Sequence, residues 1–387
     1  MDNTVLFYIC AAFLGIILLA GLKRRPKDEA AFFDRVSTKE FQGFLALYII
    51  FHQTIITLIN YGFEPLEFEF FYCYGILAVV FFFFCSGYGL IKRQMSDGDY
   101  LKGFLRRRVY TVLVPFFICN YIYLTNAILE NIMAGEYFGF GELICSFFGI
   151  FLINNQMWFA VEIMILYLIF RIVFAKVKKT STGIIIMTGA VLILMVIGLL
   201  SGHSIDPVMS YWFKGEWWYN TVLMFPLGMF YAYKEERINR IIRKGSVPLL
   251  IASVILFIPV DHIYRYLIDQ SIFWTELDCP ETHIYHKLLG LAVETVLELI
   301  FLVFVVTIMS RLKFDNPVLK FLGKISLEIL MLNFLIVIKL HFIYERFGMA
   351  VYLLAVILGT VAVASVVYII KNIALERRSG LFDGKVE

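Results

Sequence analysis

Seven ionisable residues stand inside long apolar runs of this 387-residue sequence: His52, Glu162, Glu294, Glu298, Glu328, Lys339 and His341. A titratable group in hydrocarbon is costly, so each is a candidate for function. His52 lies eleven residues into the run Phe41–Asn60, roughly 16 Å from its start at ~1.5 Å per residue, which is mid-membrane depth. A neutral imidazole there suits general-base chemistry on a hydroxyl. A structural histidine bonded between helices is the other reading, and depth alone does not choose between them. Glu162, Glu294, Lys339 and His341 fall toward the outer ends of their runs, where side chains snorkel to water. Glu328 falls toward the inner end.

Arg106, Arg107 and Arg108 open another apolar run. Guanidinium forks recognise phosphate, and three consecutive arginines at a helix start project to different faces, so at least one turns inward. The plainer reading is a topology anchor. Phe81 to Gly89 ends a third run, and Ser86, Gly87 and Gly89 within it permit close helix approach. Ser-His-Asp order, Walker loop, GxGxxG and HExxH are all absent. The six cysteines lack metal-type spacing and read as buried apolar thiols.

The elements that must position these residues follow from composition. Hydrophobic residues make up 60% and charged residues 17%, and mean hydropathy is +0.80, which excludes a soluble globular enzyme, a disordered chain and a disulfide-stapled secreted domain. An all-α polytopic membrane protein is expected, with about eleven transmembrane helices. The apolar runs are Thr4–Leu22, Phe41–Asn60, Phe70–Leu90, Val109–Ile132, Trp158–Phe174, Gly183–Leu200, Trp217–Tyr233, Val247–Val260, Leu288–Met309, Phe321–Phe342 and Met349–Ile370. Val247–Val260 is short and bracketed by Pro248 and Pro259. Leu143–Ile153 is too short to cross and reads as a re-entrant or interfacial helix. In the first run the basic residues Lys23, Arg24 and Arg25 follow the apolar stretch, so it reads as an uncleaved helix rather than a signal peptide.

Most of the 34 Lys and Arg fall in one set of loops, including Lys23–Lys39, Lys92–Arg108, Arg171–Lys179, Lys234–Lys244, Arg311–Lys324 and Lys371–Lys385. The opposite loops hold only Lys214, Arg265, Lys287 and Arg346. The positive-inside rule then predicts an outside N-terminus and a cytoplasmic C-terminus in the plasma membrane. The outer loops are acidic, and the longest, Asp261–Lys287, carries His262, His283 and His286 among carboxylates. Scattered groups in a solvated loop read as polar surface rather than a metal site. Net charge is only +3, so no nucleic-acid partner is expected.

Six fragments in order resemble acyltransferase family 3. Gln42 to His52 is similar to that family's opening helix, which ends at a catalytic histidine. Phe82-Phe83-Phe84-Cys85-Ser86-Gly87-Tyr88 resembles its Phe-Phe-x-x-Ser-Gly-aromatic segment, and Phe104 to Arg108 followed by Pro115 its arginine-rich helix entry. Trp158-Phe159 with Tyr167, Phe225-Pro226-Leu227-Gly228-Met229 and Leu322-Gly323-Lys324-Ile325-Ser326-Leu327-Glu328 are similar to three later helices. The likeness spans about residues 41–370, leaving residues 1–40 as an extra helix with its linker and 371–387 as a cytoplasmic tail. The chain departs from the family pattern at four places. Phe41 stands eleven positions before His52, where the family carries a basic residue, and alignment of Gln42 with that residue puts Gln53 at the usual histidine position. Thr111 replaces another basic residue and Asn333 a second histidine.

The resemblance implies transfer of an acyl group, most often acetyl, from cytoplasmic acyl-CoA to a hydroxyl of a cell-surface glycan or lipid-linked glycan, with no bound cofactor. It implies His52 as catalytic base and Arg106, Arg107 and Arg108 as acyl-CoA ligands. Ser86, Trp158, Glu162, Tyr167 and Glu328 would line the substrate pocket. The alternatives are a catalytically divergent member and a glycan or lipid transporter or flippase using Glu162, Glu294, Glu298 and His52 as a polar path. The lack of internal repeats weighs against a transporter.

Overall fold

The computed structural model describes residues 3–26, 31–60, 62, 66–135, 138–203, 209–274 and 283–383. The fold is all-α and polytopic. Among the described residues, eight helices are individually long and apolar enough to cross a membrane, and a bent pair makes a ninth by length and composition.

The chain enters through α1 (Asn3–Leu19) and β1 (Lys23–Arg24), then α2 (Arg35–Asn60). The short α3 (Glu69–Cys73) leads into α4 (Gly75–Ser96). The helix α5 (Phe104–Arg108) continues through a π turn, Val109–Leu113, into α6 (Val114–Ala134). Pro115 stands at the start of α6 and has no N–H to give the preceding turn, which accounts for the wide turn there. Then come α7 (Phe140–Phe147), β2 (Phe151–Leu152), α8 (Trp158–Lys176), α9 (Thr180–Ser201) and β3 (Ser210–Tyr211). The second half comprises α10 (Trp217–Asn220), α11 (Met224–Tyr233), α12 (Glu235–Lys244), α13 (Ser246–Asp269) and α14 (His283–Met309). It closes with β4 (Leu312–Lys313), α15 (Pro317–Lys324), α16 (Ser326–Lys339), α17 (His341–Phe347) and α18 (Met349–Asp383).

Several boundaries differ from the sequence expectation. The run Trp217–Tyr233 is broken into α10 and α11, because Pro226 is accommodated in the first turn of a new helix. The run Phe321–Phe342 bends by 78° between α15 and α16, where the Ser326 hydroxyl donates to the Gly323 carbonyl. By contrast, Val247–Val260 belongs to the 24-residue helix α13, which runs through Pro259 and takes in much of the expected outer loop. The loop's last five residues open α14, and residues 275–282, including Glu276, Asp278, Cys279 and Glu281, lie outside the described residues. The eight-residue α7 is too short to cross, and Phe140, Phe147 and Phe148 are exposed on or beside it.

Two helix crossings fix the scaffold around α2 and α4. A methyl group added at Gly87 would stand 1.9 Å from the Phe225 carbonyl oxygen, and one at Gly228 would stand 2.0 Å from that of Phe84. The backbones of α4 and α11 therefore touch, as small residues at a crossing allow. Gly43 and Gly323 do the same for α2 and α15, against the Leu319 and Lys39 carbonyls. Gly89 faces open space and has no such role. Helix α2 is central, with 78% of its span buried, whereas α13 is peripheral, with 17%. Many aromatic residues are core: Phe33, Phe81, Phe84, Tyr88 and Tyr231 interlock near the crossing. Others, such as Phe13, Phe230 and Phe342, are exposed on outer faces.

The loops rich in Lys and Arg gather at one end of the bundle, the basic end. There β1 pairs with β4, and Arg311 Nε donates to Ser246 at 2.8 Å. The Arg25 side chain is buried: Nε donates to the Met309 carbonyl (2.8 Å), Nη1 to that of Ala31 (2.9 Å), and Nη2 to Phe32 O and Asp34 Oδ2 (both 3.0 Å). Asp34 Oδ1 in turn accepts from the Val36 and Ser37 N–H groups, capping α2. At the opposite end β2 pairs with β3, Lys214 donates to Ser201 O, and Lys339 meets Glu130.

Candidate active site

His52 lies two-thirds of the way along α2, because the helix starts at Arg35 rather than Phe41. It is eight residues from Asn60, about 12 Å at ~1.5 Å per residue, so it sits nearer the opposite end than the apolar run suggests. Its Nδ1 is 2.9 Å from the Phe71 carbonyl oxygen. A carbonyl only accepts, so this contact requires the proton on Nδ1 and leaves Nε2 as a free lone pair. The ring lies directly on Gly75 at the start of α4, where a methyl group would come within 2.3 Å of Nε2. The bend between α3 and α4 thus supplies both the carbonyl and the seat for the imidazole.

His52 opens into a cavity of about 700 Å³ toward the opposite end. Its walls combine aromatic surface (Trp158, Phe159, Trp217, Tyr264), amides (Gln53, Asn155, Gln156, Asn220) and carboxylates (Glu216, Asp269, Glu294). Glu294 is 2% exposed rather than snorkelling, and its Oε2 accepts from Asn220 Nδ2 at 2.9 Å. The remaining Asn220 Oδ1, Gln53 Oε1 and Trp217 Nε1 are buried and meet no hydrogen-bonding group among the described residues. Leaving such groups unpaired is costly, so they are the groups in this cavity open to pairing with an entering ligand or with water. Glu216 accepts from or shares a proton with His203 Nε2 at 2.7 Å.

A second cluster forms nearer the basic end. Arg106 and Arg107 are exposed on α5 and Arg108 is half-buried. Arg107 donates to the Lys102 carbonyl at 2.8 Å and to that of Tyr100. Arg108 donates to the Tyr100 hydroxyl at 2.8 Å, and its guanidinium lies 4.6 Å from the Tyr167 ring centre. The Tyr167 and Ser86 hydroxyls are 2.8 Å apart. Arg108, Tyr167 and Ser86 are thus brought together, whereas Trp158 joins His52. Nine residues of α8 separate Trp158 from Tyr167, about 14 Å at ~1.5 Å per residue. Glu162 lies between them, fully buried, with neither oxygen meeting a partner among the described residues. Glu328 is elsewhere: it is buried against Lys371 of α18 and does not line this cavity.

Of the four positions where the chain departs from the expected pattern, Phe41 and Asn333 have packing roles, Thr111 is exposed and Gln53 lines the cavity. Phe41 stacks on Phe44 and Phe314 and meets Phe81 edge-on. Asn333 is fully buried, accepts from Thr360 at 2.8 Å and donates to Ile50 O at 3.4 Å. Gln53 Nε2 reaches Leu330 O at 3.4 Å. Sequence reasoning missed Gly75, Asn155, Gln156, Glu216, Trp217, Asn220 and Tyr264. The run Asn154-Asn155-Gln156 beside Trp158 and the pair Trp217-Trp218 were the available signals, as polar or indole groups at the ends of apolar runs.

Residues 41–370 match the family model described as an acyltransferase domain. No curated protein and no solved structure matches the chain.

Proposed function

The chain belongs to this acyltransferase family and is a membrane enzyme transferring acyl groups other than aminoacyl groups, and on that premise we propose that it moves an acyl group, most often acetyl, from acyl-CoA to a hydroxyl of a glycan acceptor. The observation that carries this reading is His52, which lines a large polar and aromatic cavity and whose Nδ1 is held by the Phe71 carbonyl, so that Nε2 is the nitrogen left to act as base. Nε2 takes the proton of the acceptor hydroxyl as its oxygen attacks the thioester carbonyl. The C–S bond then breaks, the thiolate recovers the proton from His52, and an ester and free CoA result. Aromatic faces together with unpartnered amide and indole groups suit a ring bearing many hydroxyls, each both donor and acceptor.

The basic end faces the cytoplasm of a plasma-membrane protein by the positive-inside rule, with the N-terminus outside. Arg106 and Arg107 then meet the phosphates of acyl-CoA on the side where it is made. The thioester arm passes Arg108, Tyr167, Ser86 and Glu162 to reach Trp158 and His52. The acceptor enters from the opposite end.

The test is transfer of label from acetyl-CoA in proteoliposomes supplied with candidate glycans. Wild-type protein should form an alkali-labile ester, and His52→Ala should lose about 10²–10⁴-fold in kcat, the usual contribution of a general base. Unchanged turnover in His52→Ala rejects the assigned base. Movement of glycan across the bilayer without consumption of acetyl-CoA rejects acyl transfer in favour of transport.

A further inference from the structure

We infer that the apolar groove beside α1 holds the hydrocarbon chain of a lipid-borne acceptor, an inference that rests on the acyl-transfer reading for the role of its head group. The groove has a volume of about 540 Å³ and lies among α1, α2, α4, α13 and α14. Leu14 and Gly15 of α1, Leu77 and Ala78 of α4, Phe257 of α13 and Phe301 of α14 form its walls. Three hydroxyls also face it, and each is spent inside the protein. Tyr48 donates to the Phe70 carbonyl (2.5 Å), Tyr74 to Asp261 Oδ1 (2.6 Å) and Ser253 to the Leu249 carbonyl (2.7 Å). A cavity whose polar groups are all satisfied holds water poorly and takes apolar chains.

The groove adjoins the His52 cavity. Helix α13 lines the groove with Ser253–Ile258 and the cavity with Tyr264–Asp269, and α14 lines them with Ile300–Phe304 and Glu294. Tyr74 belongs to the groove and Arg265 to the cavity, and they meet at the junction: Arg265 Nη2 donates to the Tyr74 hydroxyl (2.5 Å) and Nε to Asp261 (3.0 Å). An amphiphile with its chain in the groove therefore has its head group directed past this triad toward His52. Arg265 is ion-paired with Asp261 at the junction, so the link between chain and sugar meets a compensated hydrogen-bonding group there rather than a net positive charge. Helix α1 lies outside the residues that match the family model, so this wall is an addition to the matched region.

The experiment uses full-length protein in phosphatidylcholine nanodiscs. The probe is a disaccharide joined by phosphate to a polyprenyl chain that ends in a diazirine. After illumination, cross-links are expected in residues 11–18 and 253–258. A methyl group at Gly15 meets nothing within 4 Å, so Gly15→Phe can start its side chain into the groove without a clash at Cβ. It should cut labelling and raise the KM for the lipid-linked disaccharide by about tenfold, as expected if some two methylenes are kept out. The free disaccharide should be unaffected, and Gly15→Ala should behave as wild type. Val254→Trp, on the α13 wall, repeats the test should Gly15→Phe fail to fold. Labelling indifferent to both substitutions, or equal labelling by a diazirine phosphatidylcholine, overturns the proposal and leaves only ordinary bilayer lipid at this face. Groove labelling that falls with Gly15→Phe, in a protein that acylates no acceptor, supports the groove and rejects acyl transfer.

Discussion

Two buried polar regions of the bundle are built on opposite plans. At the basic end the Arg25 side chain is enclosed, and Met309, Ala31, Phe32 and Asp34 receive its donors. Tyr88 and Lys92 likewise divide the two oxygens of Glu235 between them, at 2.7 and 2.6 Å. In the His52 cavity, Gln53 Oε1, Asn220 Oδ1 and Trp217 Nε1 are buried without a partner among the described residues, and the imidazole is tethered there through Nδ1. A satisfied network fixes geometry, and an unsatisfied one is a standing demand for a ligand. The contrast is between these two clusters and not between the two ends, because Thr38, Glu40 and Gln42 near the basic end also carry buried atoms that meet no partner among the described residues.

The sharpest way to break the contrast is Gly75→Ala. The new methyl group would occupy the place of the His52 ring. Acyl transfer should fall at least about 10²-fold, approaching His52→Ala, while the unfolding temperature in detergent changes little, because the ring can swing into the cavity. If Gly75→Ala turns over at the wild-type rate, the described ring position is not the working one. Arg25→Met tests the other region. It leaves three carbonyls and Asp34 without their donor, so a loss of about 3 kcal/mol of stability is expected, read by denaturant unfolding in mixed micelles. Residual enzyme that folds should keep its KM for acyl-CoA.

Asn220→Ala should have a smaller effect, mainly on acceptor binding. It removes an acceptor that meets no partner among the described residues and takes one donor from Glu294, so KM for the acceptor should rise about tenfold, with kcat for thioester hydrolysis by water little altered and a modest cost in stability. An equal loss in stability would place Asn220 with the structural residues instead. The smallest effect concerns pH. Burial raises the Asp34 carboxyl, but hydrogen bonds from Ser37 and the Arg25 guanidinium prevail and hold it below the usual carboxylate range. A group lowered on folding adds stability that is complete above its unfolded value and is lost as pH falls through the folded one. Unfolding temperature should therefore drop on acidification through that range, and Asp34→Asn should flatten the drop.

His52 and the arginine run were legible in the sequence because a lone titratable group in an apolar run and a cationic cluster at its mouth are properties of contiguous residues. The same is true of the all-α membrane class, the segregation of charge and the ordered fragments, such as Phe82–Tyr88, that carry the family resemblance. The seat of His52 was not legible. It depends on a carbonyl nineteen residues away and a glycine on the next helix, neither of which has a chemical signature of its own. Glu294 was legible as an ionisable group but misread as snorkelling, since only packing against α10 shows that it is enclosed. Ser86, Trp158, Glu162, Tyr167 and Glu328 formed one group through the family resemblance, whereas the fold divides them among the cavity, the arginine cluster and the Lys371 pair, with Glu162 between the first two.

The physical reason is range. Hydropathy, charge and helix-breaking prolines act over a few neighbouring residues and are written along the chain. Which side chains face one another across a crossing is decided when distant backbones meet, as Gly87 meets Phe225 and Gly43 meets Leu319. The sequence by itself therefore determined the class, the two ends and the candidate base. Only the tertiary structure decided which nitrogen of that base is free and which unpaired groups share its cavity.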